Sequence, residues 1–245
     1  MEPDIVAFCG SPPSPGELWA RWTLDPALLA GLLFSAAGYA WFGRGLPARR
    51  RAAFWAGFGS VVLAFVSPLC ALAVALFSAR AGQHMLLALV AAPLLALGLP
   101  HAAAPPRWAV GAAALFAALF WLWHLPGPYD AALVHGGLYW LSHLSLLAAA
   151  AALWRALLAA ATPAGFALGA AASAQMGLLG AVLVFAPAPL YASHLASAPA
   201  FGLSPLADQQ LGGLLMWVPG GFAFLAAGVA GAFNVVVRPA ARDAA

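Results

Sequence analysis

Seven long apolar runs alternate along the chain with short breaks of proline, glycine and arginine: Pro26 to Phe42, Ala52 to Phe77, Gln83 to Leu99, Trp108 to His124, Leu138 to Trp154, Phe166 to Leu190 and Leu211 to Val236. A helix crossing the hydrocarbon of a bilayer needs about 20 mostly apolar residues. The pattern therefore predicts an all-α polytopic bundle of seven transmembrane helices. One domain covers residues 26–236, between an exposed N-terminal tail at 1–25 and a short C-terminal tail at 237–245. Pro68 and Pro93 fall inside apolar runs, where each should kink its helix or free a carbonyl for another partner. The last run is rich in glycine, which permits close helix approach and places it centrally in the bundle.

Composition sharpens this picture. Of the 245 residues 64% are hydrophobic and only 7% are charged, against roughly 25% charged in an ordinary soluble domain. A water-soluble enzyme could not cover its surface with so few charges. The ten basic residues are all arginine, so a lysine Schiff base to retinal or pyridoxal is excluded. No glycine-rich loop leads into a Lys-Ser or Lys-Thr pair, which removes the phosphate-cradling nucleotide hydrolases. A few arginines are no sign of a nucleic-acid partner. Cys9 and Cys70 are too few and too far apart along the chain for a disulfide framework or a CxxC site, and Cys70 reads as a buried, inert thiol.

The arginines set an orientation. Arg44, Arg49, Arg50, Arg51, Arg107, Arg155, Arg238 and Arg242 fall on one side of the seven-span scheme, and only Arg21 and Arg80 on the other. Positive charge concentrates on the cytoplasmic side, so the amino terminus lies outside and the carboxyl terminus in the cytoplasm. The segment before Pro26 holds Glu2, Asp4 and Glu17 and has no basic region, and reads as a tail rather than a cleavable signal. Tryptophans near both ends of the runs form aromatic belts.

With that orientation, five of the six histidines lie outward: His84 opening the third span, His124 closing the fourth, His135 in a loop, His143 in the outer part of the fifth, and His194 after the sixth. His101 faces the cytoplasm. Asp130 and Asp208 fall in outer loops. Imidazole is the commonest protein metal ligand, and His with Met or Cys suits copper or zinc. Each histidine alone is equally served by water or lipid headgroups at the interface. On a regular helix Asp208 and Met216 stand about 80° and 12 Å apart, so they cannot share one ion directly; Met216 would be a deeper second position or core filler. A haem held by two of His84, His124 and His143 fits the same spacing.

Three blocks carry a resemblance. Gln83-His84-Met85-Leu86-Leu87 with Pro93 and Gly98-Leu99-Pro100 is the first; Trp123-His124-Leu125-Pro126-Gly127-Pro128-Tyr129-Asp130 followed by His143-Leu144-Ser145 is the second. The third is Ser204-Pro205-Leu206-Ala207-Asp208-Gln209-Gln210-Leu211-Gly212-Gly213, running to Met216-Trp217-Val218-Pro219. From about residue 30 to 235 the chain resembles the CtaG family of cytochrome c oxidase assembly factors. The resemblance implies a seven-span, non-enzymatic protein of the bacterial plasma membrane that helps assemble haem-copper oxidases. It also implies copper delivery to the oxidase, with oxidase subunits and periplasmic copper donors as partners. Carried over by position, His84, His124, His143, Asp208 and Met216 match the family's polar or sulfur-bearing positions. The chain departs from the family pattern at Arg80, where a histidine is common, and at Ser142, where a glutamate is common. A cation beside His84 disfavours a second one.

The leading expectation is a copper-handling assembly factor with His84, His143 and His124 at an outer site and Asp208 supplying charge or orientation. Its rivals are a haem-binding membrane protein and a metal-free scaffold for oxidase subunit assembly. A transporter ranks below them, because no charged residue falls clearly mid-span.

Overall fold

The computed structural model describes residues 7–100, 106–159 and 163–237. Arg238 and Arg242, on which part of the orientation argument rests, lie outside them, as does His101. Among the described residues the regular structure is entirely helical. The helices are α1 (Pro26–Phe42), α2 (Ala48–Val66), α3 (Pro68–Ala75), α4 (Phe77–Met85), α5 (Ala92–Gly98), α6 (Pro106–His124), α7 (Pro126–Val134), α8 (Gly136–Ala159), α9 (Pro163–Phe185), α10 (Pro205–Leu215) and α11 (Gly221–Val237). Wider π turns at Leu86–Ala91 and Met216–Gly220 join α4 to α5 and α10 to α11.

Four stretches are long and apolar enough to cross a bilayer unaided: Phe77–Gly98, Gly136–Ala159, Ala164–Phe185 and Pro205–Ala230. Two further crossings exist only as bent pairs, α2 with α3 at 54° and α6 with α7 at 74°. The chain is thus a multi-pass membrane protein with four to six candidate spans. The remaining expected span, the first in the chain, is α1, with 17 residues, about 25 Å of helix against roughly 30 Å of hydrocarbon.

Both bends follow from proline. Pro68 and Pro126 each open a new helix at its first turn, where a missing N–H costs nothing. The residue before each is extended, with ψ of 170° at Ser67 and 137° at Leu125, as the proline ring demands. The expected second span therefore breaks at Ser67. The third begins earlier than its apolar run, at Phe77 rather than Gln83. That shift corrects two expectations: Arg80 is not in an outer loop, and His84 does not open its helix. Both lie within α4 and are buried. The last span likewise starts at Pro205, so Asp208 sits in a helical first turn instead of a loop, and Asp130 lies on α7.

Pro93 acts as expected, by freeing a carbonyl. Within the π turn Ala92 N–H bonds Leu87 O. The next donor in that pattern would be residue 93, which has none. The orphaned Ala88 carbonyl instead accepts the Trp154 indole N–H from α8 at 2.7 Å.

The glycine-rich last span packs against α4 and α9. At Gly212 a Cβ would meet the Phe77 ring at 2.4 Å, and at Gly213 the Gly180 carbonyl at 2.9 Å. Larger side chains there would push α10 off its neighbours.

The cysteines overturn the reading of Cys70 as a free thiol. Cys9 and Cys70 form a disulfide with Cα atoms 5.5 Å apart. The N-terminal segment is therefore not wholly exposed: Ala7 and Cys9 are buried, and Phe8 stacks on Tyr139 and edges Trp140. A bond closing a 61-residue separation stabilises by about 2–4 kcal/mol. The variant Cys9→Ser with Cys70→Ser should melt at a lower temperature in detergent and lose its N-terminal residues to protease sooner. An unchanged melting curve and digestion pattern would contradict this role.

Candidate metal centre

The site is built where α4, α6 and α8 meet. His84 sits one helical turn after Arg80 on α4. His124 ends α6, where Pro126 halts the helix. His143 lies two turns into α8. The three imidazoles are 5%, 3% and 1% exposed. The His84 ring centre is 5.0 Å from that of His143 and 5.5 Å from that of His124. Of the remaining outer histidines, His135 is exposed. His194 is buried, with its Nε2 2.7 Å from the Tyr129 hydroxyl. Asp130 holds the turn carrying His194 by accepting Ser193 Oγ–H at 2.7 Å. Burial, reinforced by the Arg80 guanidinium, lowers the His194 pKa to about 3, so this imidazole is neutral at physiological pH.

Hydrogen bonding fixes two tautomers. A backbone carbonyl only accepts, so His143 donates Nδ1–H to Tyr139 O at 2.8 Å and His124 donates Nδ1–H to Phe120 O at 2.7 Å. Each then keeps a lone pair on Nε2, the arrangement usual for a metal-ligating histidine. Neither nitrogen of His84 has a partner. Buried polar atoms without partners are rare and call for an explanation. Beside His84 and His143 is a void of about 10 Å³, lined also by Met85, Leu87, Ala88, Phe116, Phe120, Leu146 and Leu147. That is about one water molecule or one ion.

The fit to a metal can be tested on these observations. Two imidazoles on one tetrahedral ion with bonds of about 2.1 Å have ring centres about 5 Å apart, near the separations found. Among the described residues, however, no three His, Cys, Asp or Glu side chains stand close enough to share an ion. A copper ion would be gripped by His84 with His143, and His124 would have to turn toward it. The His84 ring is held by no hydrogen bond. Haem fits poorly: the space beside the histidines is about 10 Å³, against the hundreds of Å³ typical of a cofactor pocket.

Asp208 is engaged elsewhere. Its carboxylate accepts Phe77 N–H at 2.6 Å, Ser78 N–H at 3.0 Å and Ser78 Oγ–H at 2.5 Å, capping the start of α4. Leu76, the residue before α4, offers no side-chain cap. Gln209 accepts Leu190 N–H and donates to Leu183 O, while Gln210 donates to Val184 O, closing the end of α9. The Asp-Gln-Gln block thus fastens α10 to two neighbours. Met216 is fully buried in the second π turn, and the methionine lining the void is Met85.

Two residues that the histidine pattern did not mark complete the surroundings. Arg80 is 1% exposed, with its guanidinium carbon 5.2 Å and 5.4 Å from the ring centres of Tyr129 and Tyr139 and with Nε and Nη1 unpartnered. It and Asp208 lie inside spans but near their starts, at the fourth residue of Phe77–Gly98 and of Pro205–Ala230, so neither is mid-span. Gln83 is fully buried and donates its amide to Ala64 O at 2.7 Å. The sequence signal for both was the rarity of polar residues inside apolar helices.

The chain is a polytopic helical bundle that gathers three buried imidazoles, two of which, His84 and His143, line an ion-sized void. Residues 32–237 match the model of the cytochrome c oxidase caa3 assembly factor family (Caa3_CtaG), and the chain belongs to that family. No curated protein and no solved structure matches it.

Proposed function

We propose that this assembly factor carries copper for a haem-copper oxidase, holding it at His84 and His143 with His124 alongside. The observation that supports this most is the pair of unpartnered nitrogens on buried His84, which lines an ion-sized void together with His143. His124 and His143 each keep a lone pair on Nε2, and Arg80, one turn from His84, is a buried cation. A guanidinium repels a divalent ion twice as strongly as a monovalent one, which favours Cu(I). Incomplete coordination suits a carrier, since the metal must leave for a partner.

In this reading the chain spans a bacterial plasma membrane seven times, with α1 as a short first span, the amino terminus outside and the carboxyl terminus in the cytoplasm. The Cys9–Cys70 disulfide favours that orientation, because disulfides persist in oxidising compartments such as the periplasm. Oxidase subunits and a periplasmic copper donor are its partners, and its role is non-enzymatic.

The purified protein, incubated with Cu(I) and desalted, should retain about one copper per chain and show no Soret band. Copper at background would overturn the carrier reading in favour of a metal-free scaffold. A Soret band lost on replacing one of the three histidines would favour haem.

A further inference from the structure

With His143 in its uncharged Nδ1–H tautomer, His143 and Gln83 meet acceptor to acceptor. His143 Nε2 lies 3.4 Å from Gln83 Oε1. In the uncharged imidazole the bond from His143 Nδ1–H to the Tyr139 carbonyl leaves Nε2 with a lone pair and no proton. Turning the ring over would bring a carbon to 2.8 Å from that carbonyl, too close for contact. The Gln83 amide is equally constrained. Its Nε2 donates to Ala64 O at 2.7 Å, and exchanging its nitrogen and oxygen would set two acceptors at that distance. Two acceptors therefore point at each other in a buried site, where unmatched polar groups are costly.

A cation bound by both removes the conflict. On a tetrahedral ion with bonds of about 2.1 Å, neighbouring donor atoms stand about 3.4 Å apart. We infer that the Gln83 carbonyl oxygen is a metal ligand, completing with His143 and His84 a neutral site of two nitrogens and one oxygen. The inference rests on the reading of His84 and His143 as a metal site and adds a donor to it. Gln83 brings no charge near Arg80. It is also a hard oxygen donor that binds Cu(I) less firmly than sulfur would, which suits a metal that must be released.

The test uses the full chain in detergent, loaded with Cu(I) and titrated against a chromogenic Cu(I) chelator. Gln83→Leu should weaken binding about tenfold and reduce the nitrogen and oxygen donors seen by X-ray absorption from three to two. Gln83→Met, which supplies a soft sulfur at the same position, should bind more tightly than wild type and show a copper–sulfur distance. In the metal-free wild type, imidazole 15N shifts should report His143 protonated at Nδ1 and bare at Nε2. Wild type that binds copper with no change in Gln83→Leu and no sulfur contact in Gln83→Met would overturn the assignment of Gln83 alone. Wild type that binds no copper would sink the metal site itself. A protonated Nε2 on His143 would remove the conflict on which the inference stands, whatever the copper result.

Discussion

Asp208→Ala should lower stability by about 3–5 kcal/mol, read as a large fall in melting temperature in detergent and loss of copper binding with it. The carboxylate takes three hydrogen bonds from the first turn of α4. Bonds to a charged acceptor contribute about 1.5–3 kcal/mol each, and buried donors left without an acceptor are themselves penalised. Negative charge at a helix N-terminus adds to this. Because α4 carries Gln83 and His84, loosening its start should shift both relative to His143 on α8. Ser78→Ala removes one of the three bonds and should cost about 1 kcal/mol while leaving copper binding intact. If Asp208→Ala instead melts like wild type yet loses copper, the residue serves the metal directly and its capping role is unimportant.

His84→Ala combined with His143→Ala should weaken copper binding at least about a hundredfold, since loss of a single outer-sphere partner already costs 10–100-fold. Metal-free stability separates the two residues. His84 makes no hydrogen bond, so its loss removes only packing, whereas His143 forfeits the bond to Tyr139 O. Copper in hundredfold excess over its dissociation constant should stabilise wild type by about 2.7 kcal/mol and the double variant by about 0.4 kcal/mol or less. Equal copper content in both proteins would end the site assignment. Support of oxidase assembly by the double variant in a strain lacking the protein would point to a scaffold.

Much of the helical content was legible because apolarity is local. A run such as Gly136–Ala159 declares itself wherever the chain folds. Boundaries were less legible: α4 begins at Phe77, six residues before its apolar run, since Arg80 and Gln83 are polar yet buried. Their polarity is answered by groups from elsewhere, the Tyr129 and Tyr139 rings for Arg80 and the Ala64 carbonyl for Gln83. The histidines were visible as candidates. Which of them meet was not, since His194 turns to Tyr129 while His84 turns to His143 and His124.

By itself the sequence determined a lipid-embedded helical protein, the break of its second span at Pro68, and the family to which it belongs. Each of these depends on residues that are near neighbours along the chain. Only the tertiary structure decided that Asp208 caps a helix 131 residues away and that Cys9 bonds Cys70. The same holds for the approach of His143 Nε2 to Gln83 Oε1 at 3.4 Å. Such pairings arise from the packing of whole helices and from the need to satisfy buried polar groups across them, and no local pattern encodes either.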